Sequence, residues 1–365
     1  MKKTLIALAA VAVTTGAMAQ VTMSGEAGFA YISDKKVVAG TAATNGVGKA
    51  QATTKGMAQT DGSITIAATD DLGGGMKLSV AHTVDLKGRS SVTAENSTMS
   101  LSGSFGSIMI GALNGGNGII GNGSAGGVGR GMDGTIVDGD TPVDLIQYTS
   151  PELITGLTAF ANAADVGATG AGEGSFQATG VGINYSTGPL SVTFDSTSYS
   201  GHAVAAGVAA RDATCTDATS GAIGTAVAYG TACATGSVML TPGVALKSAA
   251  TVLATQLDSR QRLSFTYDLG MAKIGYGTQT KSYAGTGVDN KQTVLGVSAP
   301  IGAFTVSLAR ATNKADGAAT ETTGTDLGIN YALSKRTALN FSSMKSKTTG
   351  SVSDTYTRLR LKTTF

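Results

Sequence analysis

The side chains able to do chemistry are few, and their spacing is uneven. Arg358, Arg360 and Lys362 occupy every second position near the end of the chain. Arg260 with Arg262, and Lys273 with Lys281, keep the same parity within their own stretches, and Lys77 stands beside Leu78 and Val80. The acids gather elsewhere. Asp133, Asp138 and Asp140 lie in one Gly-rich stretch together with Arg130. Several hard oxygens so close together invite a calcium reading, but Gly is misplaced for an EF-hand loop and no Glu closes it, so solvated acids and no metal are expected. The glycines from Gly115 to Gly131 have no Gly-Lys-Ser or Gly-Lys-Thr and no helical pattern after them, so they do not form a phosphate loop. A hydrolase would need a His with a Ser or Asp partner. His82 lies in an alternating run and His202 opens a variable stretch, neither with an identifiable partner, so no catalysis and no cofactor are expected.

The elements that must hold these groups show a period of two. In Arg262-Leu263-Ser264-Phe265-Thr266-Tyr267-Asp268-Leu269 apolar residues fall on odd positions and polar ones on even positions, which in a strand means opposite faces. The alternation recurs in Ser63 to Ala68, Met76 to Val84, Phe304 to Leu308, Asp326 to Leu333, Leu339 to Ser343 and Tyr356 to Phe365. Tight turns are read at Asp70 to Gly75, Gly103 to Gly106, Thr187 to Pro189, Leu269-Gly270, Pro300 to Gly302 and Ser334-Lys335. Long connections rich in Gly, Ala, Ser and Thr are read at Ser33 to Thr60, Asn114 to Pro142 and Gly201 to Asp258. Short and long connections alternate, as in an antiparallel meander with turns at one end and variable loops at the other. The pattern predicts about sixteen strands. An even number brings both termini to one rim and lets the sheet close, whereas an open sheet of that width would split or curl. The predicted fold is therefore an all-β, transmembrane antiparallel β-barrel.

The first residues carry a separate message. Met1-Lys2-Lys3 is a positive start, Leu5 to Val13 is a short apolar run, and Ala17-Met18-Ala19 has a small-x-small cleavage pattern, so residues 1–19 read as a secretory signal peptide. The run is about half of the roughly 20 residues a spanning helix needs. Its removal takes away Lys2 and Lys3 and no acid, so the net charge of +2 becomes zero, with 24 acids facing as many bases in residues 20–365. That balance excludes a nucleic-acid partner, which would need clustered cations. With 42% hydrophobic and 14% charged residues, disorder is excluded as well. In an exported chain Cys215 and Cys233, the only cysteines, are expected to form a disulfide within the long connection. Closing a loop of about 18 residues would contribute roughly 3 kcal/mol. With the distant His82 and His202 they make no zinc-ligand spacing.

Four stretches are similar to the general porins of Gram-negative bacteria: the mature start Gln20-Val21-Thr22-Met23-Ser24-Gly25, the segment from Ser97 to Gly111, Gln147-Tyr148-Thr149-Ser150-Pro151, and the final Phe365. The resemblance runs over the whole mature chain. It implies a sixteen-stranded barrel in the outer membrane, a homotrimer as partner state, contact with outer-membrane lipid and lipopolysaccharide, and diffusion of ions and small hydrophilic solutes. It also implies that the third long loop, after the hairpin Leu101-Ser102-Gly103-Ser104-Phe105-Gly106, folds into the lumen, here over Asn114 to Pro142. Phe365 would then be the signal read by the barrel-assembly machinery.

Parity then assigns the bases. Placing Leu359, Leu361 and Phe365 toward lipid turns Arg358, Arg360 and Lys362 inward, and the same phasing turns Lys77, Arg260, Arg262, Lys273 and Lys281 inward. A charge on the lipid face near the midplane would cost about 2–4 kcal/mol. Asp133, Asp138 and Asp140 on the inward loop, with Arg130 among its glycines, would face these wall bases and, with Arg358 and Arg360, form a constriction with a transverse field and a weak anion preference. The resemblance departs where the family places arginines on early strands, because the strand regions Ser63 to Asp70 and Ser97 to Gly111 contain none. A structural or adhesive surface barrel without solute flux is the alternative. The recurrence of charges on the non-lipid parity favours the channel. With 5% aromatic residues and no Trp, a sugar-specific path is hard to build.

Overall fold

The computed structural model describes residues 20–37, 51–88, 91–115, 118–126, 132–139, 141–166, 176–200, 213–216, 223–227, 239–241, 256–284 and 287–365. In chain order the strands are β1 (Gln20–Val37), β2 (Gln51–Gly73), β3 (Met76–Asp85), β4 (Thr93–Gly103), β5 (Gly106–Gly115), β6 (Thr141–Thr149), β7 (Leu157–Val166), β8 (Phe176–Thr187) and β9 (Leu190–Ser200). Three short strands follow, β10 (Ala213–Thr216), β11 (Ile223–Val227) and β12 (Met239–Thr241). The last seven are β13 (Leu257–Asp268), β14 (Lys273–Tyr283), β15 (Asn290–Ile301), β16 (Phe304–Ala315), β17 (Glu321–Ala332), β18 (Thr337–Thr348) and β19 (Asp354–Thr364). Among the described residues one helix, α1 (Gly118–Gly123), follows β5. Contacts divide the chain into two compact units. In one, β1–β9 and β13–β19 form a closed barrel; in the other, β10, β11 and β12 pair as a small sheet of their own.

The barrel closes by antiparallel pairing of every sequential neighbour, ending with β1 against β19 from Glu26↔Thr364 to Lys35↔Thr355. Beyond that register, Phe365 N–H donates to the Gly25 carbonyl at 3.0 Å and Gly25 N–H returns a bond to the Phe365 carbonyl at 3.1 Å. The Phe365 ring lies where a Gly25 side chain would be. At one end the strands meet in tight turns. Gly106 begins β5 with φ of +100°, and a side chain there would run into the Thr149 carbonyl of β6, so only glycine suits the position.

Side chains alternate around the ring as period two demands. Leu359, Leu361, Leu295, Leu308, Ile110 and Ile146 are exposed on the outer face. Apolar residues pair across this face, as in Ile110↔Ile146 and Leu308↔Leu327. An exposed apolar belt of this extent has a physical warrant only in lipid. Toward the tight turns it includes Tyr331 stacked on Phe304, with ring centroids 4.7 Å apart.

One expectation is corrected. The stretch 33–60, read as a loop, is strand in its described residues, 33–37 and 51–60: β1 and β2 continue their ladder from Ser33↔Lys55 to Val37↔Gln51. There both faces are polar, with Asp34 and Lys36 on one side and Ser33 and Lys35 on the other, so backbone pairing persists where no hydrophobic alternation marks it. Lower down, the β1–β2 register slips between Gly28↔Asp61 and Phe29↔Gln59, leaving Thr60 as a bulge.

Candidate functional site

A cluster of buried apolar residues lies on the inner faces of the barrel strands. Val294 of β15, Ala309 and Ala311 of β16, Met344 of β18 and Tyr356 of β19 pack with Ile119 of α1 and with Met132, Ile136 and Val137. Ile119 and Ile136 are almost fully buried. Burying two such side chains stabilises this contact by about 1.5–3 kcal/mol each.

Three glycines make the seat. A Cβ at Gly275 would strike the Asn122 carbonyl, one at Gly277 the Ile119 carbonyl, and one at Gly296 the Gly123 carbonyl. These are backbone obstacles, so α1 rests directly on the β14 and β15 main chains. Polar groups complete the attachment. Asn122 Nδ2 donates to Ser264 Oγ at 3.0 Å, Thr266 Oγ1 to the Asn122 carbonyl at 3.1 Å, and Ser298 Oγ to the Ala125 carbonyl at 2.7 Å. Asn313 Nδ2 donates to the Ile136 carbonyl at 2.8 Å.

The charged end of this attachment is Asp138. Its carboxylate accepts from Lys281 Nζ at 2.8 Å, Gln292 Nε2 at 2.8 Å and Gln279 Nε2 at 2.7 Å. Burial pushes the Asp138 carboxyl up, and the bonds from Lys281 and Gln292 outweigh it, holding the group below the usual carboxylate range. Asp138 is thus tied to the wall it lies on. Its base, Lys281, is one of the inward bases read from parity.

Two further charge clusters were not anticipated as clusters. At the β2 bulge Asp61 reaches past Gly28 to β19, where Arg360 Nη1 donates to both its oxygens at 2.8 and 2.9 Å. Thr60 Oγ1 donates to Asp61 at 2.7 Å. Lys362 bridges Glu26 at 2.6 Å and Asp61 at 3.3 Å. A side chain at Gly28 would occupy the space of the Asp61 carboxylate. In the second cluster Arg262 Nε donates to both oxygens of Asp195 at 3.0 and 2.9 Å, and Arg260 lies over the Tyr199 ring, 6.0 Å from its centroid. Parity could have found Asp195, since Phe194 beside it faces outward. The bulge hid Asp61.

Sequence and shape can now be compared with known proteins. A family model described as Gram-negative porin matches residues 5–351. The chain belongs to this family. It is an outer-membrane channel for passive diffusion, crossing the membrane many times with its strands. No curated protein matches the sequence. Among solved structures, the anion-selective porin from Comamonas acidovorans is 18% identical with a TM-score of 0.62, over 95% of this chain and 100% of that one. OmpT of Vibrio cholerae, in its trimer form, is 10% identical with a TM-score of 0.61, over the same shares. At these identities the likeness is one of fold.

The remaining predicted residues of this porin are placed as follows. Arg358 has inward parity and is 4% exposed, so it is packed rather than bathed by water. Lys77 and Lys273 have inward parity but stand at the start of their strands beside tight turns, exposed at the rim, and Lys273 pairs with Asp268 at 3.2 Å. Asp133 is exposed. Arg130, Asp140 and Cys233, the side chain of Cys215, and residues 1–19 lie outside the described residues. His82 faces outward with Nδ1 3.0 Å from Ser97 Oγ. Among the described residues no group of three or more His, Cys, Asp or Glu side chains could hold a metal ion.

Proposed function

We propose that the channel passes small hydrophilic solutes and ions with a weak anion preference, and that residues 114–142 form its constriction. The observation that carries the preference is the cluster on β9 and β13, where two guanidinium groups stand near one carboxylate: Arg262 is paired with Asp195, and Arg260 lies over the Tyr199 ring. The pairing of Arg360 and Lys362 with Asp61 and Glu26 keeps it weak, because paired charges present little net field. The fold neighbour whose title names it anion-selective supports the sign. Hydroxyl and amide side chains such as Thr98, Ser100, Gln147 and Asn162 line the inner face of β4–β7, which suits dehydrating polar solutes without strong binding.

The reading includes a homotrimer, supported by the trimer form of OmpT, export through residues 1–19 with cleavage after Ala19, and a Cys215–Cys233 disulfide. Phe365, locked to Gly25 at the seam, is the assembly signal in this reading, and catalysis has no part in it. Reversal potential in a salt gradient across a planar bilayer tests the preference. A potential of anion sign that falls toward zero in Arg260→Gln is the expected result. A cation-selective wild type would overturn it.

A further inference from the structure

The inner wall of the barrel carries apolar side chains on two sides, and they are used differently. On β15, β16, β18 and β19 they pack against α1 and residues 132–137. Those on β5–β7 do not belong to that buried cluster. Ile110 and Ile146 are exposed on the outer face, so Gly111, Leu113, Val143 and Leu145 point inward, with Leu113 opposite Val143 and Gly111 opposite Leu145. Leu145 in turn stands opposite Ala164, Ala164 opposite Ala178, and Ala178 opposite Tyr199. One register row thus carries an apolar surface from β6 to the ring on which Arg260 lies. Leu113, Val143, Leu145 and Ala164 are half-buried. Aliphatic side chains left facing a water-filled channel gain when an apolar body is laid against them.

Charge along this wall has one sign to offer. Among the described residues no inward position of β5–β8 carries an ionisable side chain. Beyond the end of the row stand Arg260 and Arg262, and the carboxylate beside them, Asp195, accepts from Arg262 through both oxygens. Arg260 makes no ion pair within 4.0 Å among the described residues, and its Nε has no hydrogen-bond partner among them. A guanidinium presents paired N–H groups that match the two oxygens of a carboxylate. An ammonium solute would meet no unpaired counter-charge here, and an uncharged one would leave Arg260 without an acceptor. From Tyr199 to Leu145 the row crosses three ladder spacings, about 14 Å along the wall. The solute that uses both ends therefore has several carbon atoms beyond its carboxylate, more than acetate provides.

We propose that this row is a binding subsite for amphipathic organic anions, in which Arg260 takes the carboxylate of an arylalkanoate and Ala164, Leu145 and Val143 take its hydrocarbon body. The proposal rests on the anion-preferring channel reading and deepens it. A weak preference for anions concerns charge alone, whereas this row adds retention that grows with the apolar area of the solute. A bound solute narrows the lumen and is read as a fall in ionic current.

The test is single-channel current through the full-length protein in a planar bilayer in potassium chloride, titrated with phenylbutyrate, acetate, phenylbutanol or phenylbutylamine. Phenylbutyrate is expected to halve the current at a concentration about tenfold or more below that of each of the other three. In Arg260→Gln the gap between phenylbutyrate and phenylbutanol should close, because the carboxylate has lost its partner. In Val143→Ser with Leu145→Ser the block by phenylbutyrate should weaken to that of acetate, because the body has lost its surface. Equal block by phenylbutyrate and acetate would overturn the proposal, since the apolar wall would then add nothing. So would equal block by phenylbutanol or phenylbutylamine, or an unchanged block in either variant. If the double serine variant does not fold, the wild-type series and Arg260→Gln decide. Conductance steps and reversal potential are read in chloride before any solute is added. Absent steps or a potential of cation sign there would mark a failure of the channel reading or of its anion preference, distinct from a failure of the subsite.

Discussion

Replacing Asp138 by Ala removes an anion that ties residues 132–139 to β14 and β15. Three side-chain donors then lose their common acceptor, at 2.8, 2.8 and 2.7 Å. Lys281 is the costly one, since its side chain is 11% exposed and the variant leaves its ammonium nearly buried without a counter-charge. Breaking a buried pair from one side costs about 3–5 kcal/mol. The Asp138 side chain is 39% exposed, so solvent screens the pair, and about 2 kcal/mol is the working figure. That is comparable with the burial of Ile136, the nearest apolar anchor, so this end of the segment loosens while α1 stays on its glycine seat. The barrel ladder loses no bond. In planar bilayers the variant should show noisier and larger single-channel steps and a reversal potential moved toward anions, with unchanged heat-modifiable migration on gels. Asp138→Asn separates charge from tether: it retains an acceptor for Lys281, so conductance stays near wild type while the reversal potential still moves. If both variants match wild type in conductance and selectivity, Asp138 does not hold the constriction and the argument from the seat is wrong.

Other expectations follow from the same geometry. Gly275→Val places a side chain against the Asn122 carbonyl, so α1 must leave β14, and single-channel conductance should change more than with Ala substitution at open Gly56. Asp61→Asn unpairs Arg360 and Lys362 and should move the reversal potential toward anions; Arg358→Ala with Arg360→Ala removes the base bonded to Asp61 and a second inward base and should move it toward cations. Acid should act through Asp138: its folded pKa lies below its unfolded value near 3.9, so its contribution is complete above that value and is lost as pH falls through the folded one. Conductance noise should therefore rise only below about pH 4, and Asp138→Asn should show no such rise.

Alternation alone located most of the barrel, because a strand between lipid and water must put Leu263, Phe265 and Tyr267 on one side and Arg262, Ser264 and Thr266 on the other. It failed where that constraint lapses. Above the membrane β1 and β2 are polar on both faces, so nothing in residues 33–60 announces the continuing ladder. At the bulge beside Thr60 the period slips, which concealed Asp61 although the bases it pairs with had legible parity. The seat was illegible for another reason. Its contacts join residues more than 140 positions apart, such as Asn122 with Ser264 and Asp138 with Lys281, and Gly275, Gly277 and Gly296 carry no side chain to signal what rests on them.

The seat also explains the low charge. An inner wall that only faced water could carry ionisable groups at every inward position. Here the inward positions of β14–β16 include Gly275, Gly277, Gln292, Val294, Gly296, Ala309 and Ala311, chosen for close approach and packing. A charge at any of them would be buried beneath α1 or residues 132–139 and would need a partner, as Lys281 needs Asp138. Charge on the inner wall is thereby held to a few packed positions: Lys281 with Asp138, Asp326 between Ala309 and Met344, Arg358, and the pairs Arg262–Asp195 and Arg360–Asp61. A channel built this way should tolerate neutral polar exchanges on the inner face of β4–β7 with little change in selectivity, while single charge changes at those packed positions reset it.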